Sequence, residues 1–531
     1  IERLVGGVWT AIADVPGTAR ERVDTGLEGL TTYTYRMRAY DGQATSEYTA
    51  EVSETTSDDP PLCSVTPLSL DFGTLVVGEA DTLFVTITNI GGQVLTGNVV
   101  LEDCATGFSI QNGESLALHN GESREVRAIF APLDAGSASC SLVGPDCDAV
   151  ILSGIGESPF HWSDRFAEGD LGVDNTVRAF AVAPEGIYAG GAFTHAGSEV
   201  TSYTAQFIND QWFGMGPSLT GTVRTLAVAE YGLFCGGDFT TLSTGPHHVA
   251  TWTGSSWAPF YYSPDGIVRA MVEKDFRVVI GGSFGPDYYA QGKFTTGPAG
   301  IAEWVPCPPR RDGTDESENT EPSMSGPLAD ARPGCDFYDA LGNADPIGSI
   351  EALAVFQGDL YVGGTFTQIG GQTISYLARY QEFDQSWHEV GFSGGVNNAV
   401  YSLHATPNGL WVGGQFSRVD GQTSLGVGVW TGTAWVPETA GEDFRTTYAI
   451  TTYLGNIVIG GSFTTSNGTQ PLNHLAEWSE GGWLPLGSGI PSPAFVYALI
   501  ERDAALYVGG TFSQAGGLPS QNIARWEPTP R

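Results

Sequence analysis

"LYVGGTF", Leu360 to Phe366, is a phrase that the chain repeats: IYAGGAF at 187 to 193, LFCGGDF at 233 to 239, VVIGGSF at 278 to 284, LWVGGQF at 410 to 416, IVIGGSF at 457 to 463 and LYVGGTF at 506 to 512. The glycine pairs are Gly190 with Gly191, Gly236 with Gly237, Gly281 with Gly282, Gly363 with Gly364, Gly413 with Gly414, Gly460 with Gly461 and Gly509 with Gly510. The phenylalanines that follow are Phe193, Phe239, Phe284, Phe366, Phe416, Phe463 and Phe512. Successive pairs lie 46, 45, 82, 50, 47 and 49 residues apart, and the one long gap contains a polar insertion, 305–340. A fixed period of this length marks stacked or radially arranged units, and it has to be explained before any single residue is.

Every unit has the same order. An apolar stretch ("VRAFAV", "VRTLAV", "VRAMVE", "IEALAV", "VYSLHA", "TYAITT", "VYALIE") precedes the GGxF strand, and a third strand ends on an aromatic ("AQF", "ATW", "AEW", "ARY", "GVW", "AEW", "ARW"). A fourth carries Trp212, Trp257, Trp387, Trp435 or Trp483. Four short strands per unit is the pattern of a β-propeller blade, which predicts an all-β fold with a seven-bladed propeller over 158–531. The seventh unit stops after its third strand, at "IARWEPTPR", whereas the region opens on "FHWSDRFAEG", a fourth strand without a unit. The expected closure therefore pairs residues 159–168 with the unit at 494–528 and brings Trp162 to Trp526, leaving no free sheet edge there. In this reading the glycines let backbones crowd together or turn with positive φ, and the phenylalanines pack between blades. None of the pairs stands in a GxGxxG or GxxxxGK[ST] context before a helix, so they do not read as phosphate cradles.

The repeats, with "LYVGGTFSQAGGLPSQNIARW" nearest to a consensus, resemble those of secreted bacterial propellers and of fungal Rax2-like cell-surface proteins. WD40 signatures and sialidase Asp-boxes are absent, and the units are more alike than kelch blades. Upstream, "LDFGTLVVGEADTLFVTITNIGG" and "FSIQNGESLALHNGESREVRAIFAPLDAG" resemble the Hydin-like (ASH-type) immunoglobulin-like domains of bacterial surface proteins, which implies a β-sandwich over 57–157. "LTTYTYRMRAYDG", with period-two alternation through Tyr33, Tyr35, Met37 and Ala39, resembles the back half of a fibronectin type III domain over 1–56, with Tyr33 at the tyrosine corner. A domain with its front strands missing leaves a face uncovered, and the chain opens at Ile1 with neither an initiator Met nor a signal peptide. Both read as a fragment of a longer chain, as a mature product or as a surface covered by a partner.

Of the seven cysteines, Cys63, Cys104, Cys140 and Cys147 cluster in the second region, Cys307 and Cys335 flank the polar insertion, and Cys235 stands alone. Clusters in turn-rich β segments read as disulfides of an oxidising compartment, and Cys307 is expected to pair with Cys335. Four cysteines allow three connectivities. The topology favours Cys63 with Cys147 and Cys104 with Cys140, but the sequence does not choose. Cys235 occupies a GG strand where other units place Val, Ala or Ile, which reads as a small buried residue.

With 23 basic and 60 acidic residues the net charge is −37, which repels phosphate backbones and argues against nucleic acid and anionic membranes as partners. No apolar run is long enough to span a bilayer as a helix. The eight histidines, His119, His161, His195, His247, His248, His388, His404 and His474, fall at unrelated positions within their units and form no oxidase-type copper set. The acidic insertion, with Asp312, Asp315, Glu316 and Glu318, lacks the DxDxDG spacing of a calcium loop, so no cofactor is expected and calcium is the one weak candidate. The recurring tryptophans read as packing. The expectation is an extracellular or cell-surface modular protein without enzymatic activity, acting in adhesion, matrix or a filament, whose propeller meets a protein or glycan ligand, copies of itself or a larger assembly. The alternative is an extracellular carbohydrate-active or oxidase-type enzyme, which calls for non-repeating His, Asp, Glu or Tyr side chains converging at one mouth of the channel, or a lectin, which calls for a polar triad repeated in each blade and absent from the sequence.

Overall fold

The computed structural model describes residues 1–56, 59–166, 172–216, 219–240, 247–260, 263–290, 293–296, 299–305, 337–339, 341–392, 394–437, 444–464, 471–479 and 482–529. Among these the fold is all-β: many small sheets, no α-helix, and a single 3-10 turn at Asp164–Phe166. The chain divides into two compact units, Ile1–Pro159 and Phe160–Arg531. Cys307, Cys335 and the acidic insertion lie outside the described residues.

In the first unit, Glu2–Val5, Val8–Ala11, Thr32–Arg36 and Val52–Thr55 form one sheet, in which none of the residues is buried. Polar contacts take the place of a core. The Arg36 guanidinium binds Glu2 at 2.8 Å and lies over the rings of Trp9 and Tyr48. Tyr33 accepts a hydrogen bond at 2.9 Å from the backbone N–H of Glu28, five residues upstream. Beyond residue 58, two four-stranded sheets share a core. Val85, Ile87, Val126, Ala128 and Phe130 on one meet Phe72, Leu142, Val150 and Leu152 on the other. The alternating burial of Ser123–Phe130 follows from the two-residue period of a strand with one wet face. Cys63 is joined to Cys147, and Cys104 to Cys140.

The second unit contains seven four-stranded antiparallel sheets among the described residues, with first strands Val177–Ala183, Thr222–Ala229, Ile267–Lys274, Ile350–Phe356, Val400–Thr406, Thr447–Tyr453 and Phe495–Arg502. Each first strand packs beside the first strand of the next sheet, and the seventh packs beside the first. Apolar clusters follow the same cycle. Phe193, for example, shares a core with Val177 and Phe207 of its own sheet and with Tyr507 and Ile523 of the seventh. Arg502 of the seventh sheet donates to the carbonyl of Pro184 at 2.9 Å, and Asn522 to that of Val173 at 2.9 Å. Phe160–Trp162 is the outermost strand of the seventh sheet, with Trp162 opposite Trp526. Its indole N–H reaches the Leu486 carbonyl at 3.1 Å, as Trp387 reaches Leu341 and Trp435 reaches Val390 in their own sheets. Trp212, Trp257, Trp387, Trp435 and Trp483 are all buried.

The glycine pairs lie opposite a β-bulge. In the first sheet Val177 pairs with Gly191 and Ala179 with Gly190, leaving Arg178 unpaired between them. The same shift recurs at the same place in all seven sheets. The extra residue presses the preceding carbonyl onto the second glycine. A Cβ on Gly191 would collide with the Thr176 oxygen, one on Gly237 with that of Thr222, and one on Gly282 with that of Ile267. Gly364 meets the Ser349 oxygen in the same way, Gly414 that of Ala399, Gly461 that of Thr446 and Gly510 that of Phe495. A Cβ on the first glycine would instead strike the next sheet, as on Gly190 at 2.6 Å from Val223 Cγ1 and on Gly509 at 2.6 Å from Val177 Cγ1. Gly236, Gly281, Gly363, Gly413 and Gly460 likewise face Val268, Ile350, Val400, Thr447 and Val496 of the sheets that follow them.

One of the two roles expected of these glycines is therefore corrected. None of the fourteen has a positive φ: neither the first glycines nor Gly191, Gly237, Gly282, Gly364, Gly414, Gly461 and Gly510 turn the chain. They close their strands, the second glycine being the last residue or the one before it, and close approach of backbone and side chain is what they supply.

This distinction is testable by thermal or urea unfolding. Gly190→Ala should destabilise by about 1–3 kcal/mol. Combining it with Val223→Ala should cost less than the sum of the two, because the clashing atom is then gone. Gly191→Ala should show no such coupling, since its obstacle is backbone.

Candidate functional site

The bulge decides where one side chain per sheet goes. In an undisturbed strand, residues two apart share a face. Here Val177 joins the core shared with the seventh sheet and Ala179 the core shared with the second. The residue between them faces neither core and turns to the gap that the first strands enclose. Arg178, Arg224, Arg269, Glu351, Tyr401, Tyr448 and Tyr497 occupy this register in chain order, and together they line one cavity of about 350 Å³. Among the described residues no aliphatic side chain contributes to its wall.

Charge is segregated around the ring. Three consecutive sheets contribute arginines, the fourth Glu351, and the last three tyrosines. Arg269 Nε stands 3.5 Å from Glu351 Oε1, and Arg224 Nη2 stands 3.9 Å from Asp238 Oδ2 at the side. The Nε atoms of Arg178, Arg224 and Arg269 are buried without a hydrogen-bond acceptor. Burial, then the neighbouring Arg269 and Arg178, push the Arg224 pKa down from its ordinary value. The tyrosines form a continuous arc, with ring centroids 5.5 Å apart from Tyr401 to Tyr448 and 5.0 Å from Tyr448 to Tyr497. The Arg178 guanidinium lies 4.8 Å over Tyr497 and closes the circle by a cation–π contact. Burial raises the Tyr401 and Tyr448 pKa values, helped by Glu351 at the former and by Tyr497 and Tyr401 at the latter.

The glycines and phenylalanines named from the sequence frame this cavity without lining it. Their neighbours in the first strands do the lining. The signal was present in the second letter of the seven apolar stretches, R, R, R, E, Y, Y, Y, a repeat position that changes charge, as the middle letter of the third-strand tripeptides also does. The histidines do not converge. His248, His404 and His474 are held below the usual pKa by burial, whereas His195 pairs with Asp174 at 3.0 Å and His388 with Asp384 at 2.9 Å. Among the described residues no three of His, Cys, Asp and Glu lie together as a metal site. Cys235 is unpaired and fully buried, and its desolvation raises the thiol pKa well above normal.

No family model and no curated protein matches the chain. Among solved structures it is similar to the computationally designed Ika8 protein, at 14% identity and a TM-score of 0.35 over 67% of this chain and 98% of that one. It is similar to YjhT at 9% and 0.28, over 66% and 95%. It is also similar to the ASH / PapD-like domain of human CEP192 at 16% and 0.16, over 18% and 85%. At these scores none of the three defines a fold or a function for this chain. No helix among the described residues is long and apolar enough to cross a membrane.

The ring tyrosines give a pH signature. Unfolded chains release phenolic protons near pH 10, while these two are held longer in the fold, so the stability they contribute is full below about pH 10 and is lost as pH rises through their folded values. Tyr401→Phe and Tyr448→Phe should each remove part of the alkaline fall in melting temperature. An unchanged slope in both would reject their burial in the ring.

Proposed function

We propose that residues 160–531 form a closed seven-bladed β-propeller whose mouth is an interaction surface. In this reading the chain is a non-enzymatic secreted or cell-surface modular protein that acts in adhesion, matrix or a surface filament. The observation that carries the proposal is the ring: seven residues in one register, one from each sheet, can line a single cavity only when the seven first strands surround an axis. The strand at 160–162 on the seventh sheet supports closure by the two ends of the unit. Residues 57–157 are proposed as an immunoglobulin-like sandwich, which the two sheets with one shared core support. Residues 1–56 are proposed as part of a fibronectin type III-like domain, which the Tyr33 contact with Glu28 supports. Two disulfides favour an oxidising, extracellular setting.

The ring brings non-repeating side chains together, as the enzymatic alternative calls for, but it contains one carboxylate, Glu351, already beside Arg269, and on that ground binding is favoured over catalysis. Most glycosidases use two carboxyl groups flanking the bond, and the ring supplies one.

Two measurements test the proposal. Trp162→Ala should destabilise the second unit about as much as Trp435→Ala, by about 3–5 kcal/mol, since each anchors the outer strand of a sheet. A Trp162 variant that melts like the parent would break the closure. Secondly, immobilised protein screened against cell-surface glycans and proteins should retain a ligand and return it with unchanged mass. Ligand returned as a reaction product would overturn the non-enzymatic reading, and an empty screen would overturn the interaction surface.

A further inference from the structure

We infer that the ring is a binding site for an acidic sugar, a pyranose carrying one carboxylate or sulfate, with the anion on the Arg178–Arg224–Arg269 arc and the sugar ring against Tyr401, Tyr448 and Tyr497. The inference rests on the reading of the cavity mouth as an interaction surface.

The arginine arc has more donors than the protein supplies acceptors. Each guanidinium offers five N–H groups, whereas the three share Glu351 at one end and Asp238 at 3.9 Å to the side, and the buried Nε atoms of Arg178 and Arg224 lack acceptors. In a chain of net charge −37, three consecutive sheets nevertheless place a cation in one cavity. An anion there receives charge-assisted, fork-shaped hydrogen bonds and relieves the mutual repulsion of the guanidiniums. The opposite arc explains why the anion should be carried on a sugar. Phenol rings offer apolar faces with hydroxyl tips, and Glu351 accepts from hydroxyl groups, so the wall suits a ring with C–H faces and an O–H rim. An aliphatic acid would find no aliphatic wall. The cavity, about 350 Å³, lies at the small end of ligand pockets and suits a single substituted ring better than an oligomer lying wholly inside it. Cation–π contact with Tyr497 orients the Arg178 fork and joins the two arcs.

Calorimetric titration of the full chain with glucuronate, glucose 6-sulfate and glucose tests this. One or both acids should bind one per chain, and glucose at least about 10-fold more weakly, in line with the strength of hydrogen bonds to a charged group. Which acid binds more tightly separates a carboxylate site from a sulfate site. Arg224→Gln should weaken the acid about 10- to 100-fold and leave glucose unchanged, while Tyr448→Ala should weaken all three. Glu351→Gln keeps an acceptor but removes the competing charge, so it should strengthen acid binding several-fold, a result that misfolding would not produce. Equal affinity for glucose and the acids, an unaffected Arg224→Gln, or a weakened Glu351→Gln overturns the inference. If the acids fail but these ring substitutions abolish retention of another ligand from the surface screen, the ligand class falls and the interaction surface stands. If they alter no binding at all, both fall.

Discussion

A glycine pair set against a bulge is the constraint on which the second unit depends. First strands packed side by side come closer to the neighbouring sheet than side chains allow, and at that point the first glycine of each pair meets a β-branched residue of the next sheet. Inserting one residue into each first strand adds a second demand, because a carbonyl is driven against the other glycine. Both demands fall on one dipeptide, which accounts for its repetition where neighbouring positions drift among Val, Ile, Ala and Cys.

The same insertion separates architecture from chemistry. Residues on either side of the bulge are committed to packing, one to each adjacent interface, and their identity is limited to Val, Ile, Thr, Ser and Ala. The bulged residue is released from both interfaces and can change from arginine to glutamate to tyrosine without disturbing a core. A scaffold of near-identical sheets thereby carries an asymmetric cavity, cationic along one arc and aromatic along the other. Buried indoles hydrogen-bonded to loop carbonyls support the edge of the sheets away from the cavity.

The first unit holds together by different means. Its larger part has a compact apolar core and two disulfides, whereas the four-stranded sheet at residues 2–55 has no buried residue and depends on ion pairs and cation–π contacts. Contacts of that kind, exposed to water, contribute little each, so this sheet is the least supported part of the described chain.

Local chemistry made much of this legible in advance. Period-two alternation and frequent glycine predict strands wherever one face is wet, and the spacing of the glycine pairs defines the repeating unit without reference to any partner strand. Whether a glycine such as Gly364 or Gly510 serves a turn or a close approach was not legible, because the carbonyl that presses on it belongs to a neighbouring strand. The cysteines of the second region announced crosslinking but left three pairings open, because connectivity depends on which strands lie side by side. The letters that line the cavity were visible in the sequence, but not that they share one space. Arg178, Glu351 and Tyr497 lie far apart in the chain and read as the wet face of ordinary strands, since a one-residue shift between paired strands leaves no mark in either strand alone. By itself the sequence determined the strand, its period and the small residues that let strands crowd, all of which are set by neighbours along the chain. Only the tertiary structure decided that seven distant side chains share one space, because register and closure depend on contacts between segments hundreds of residues apart.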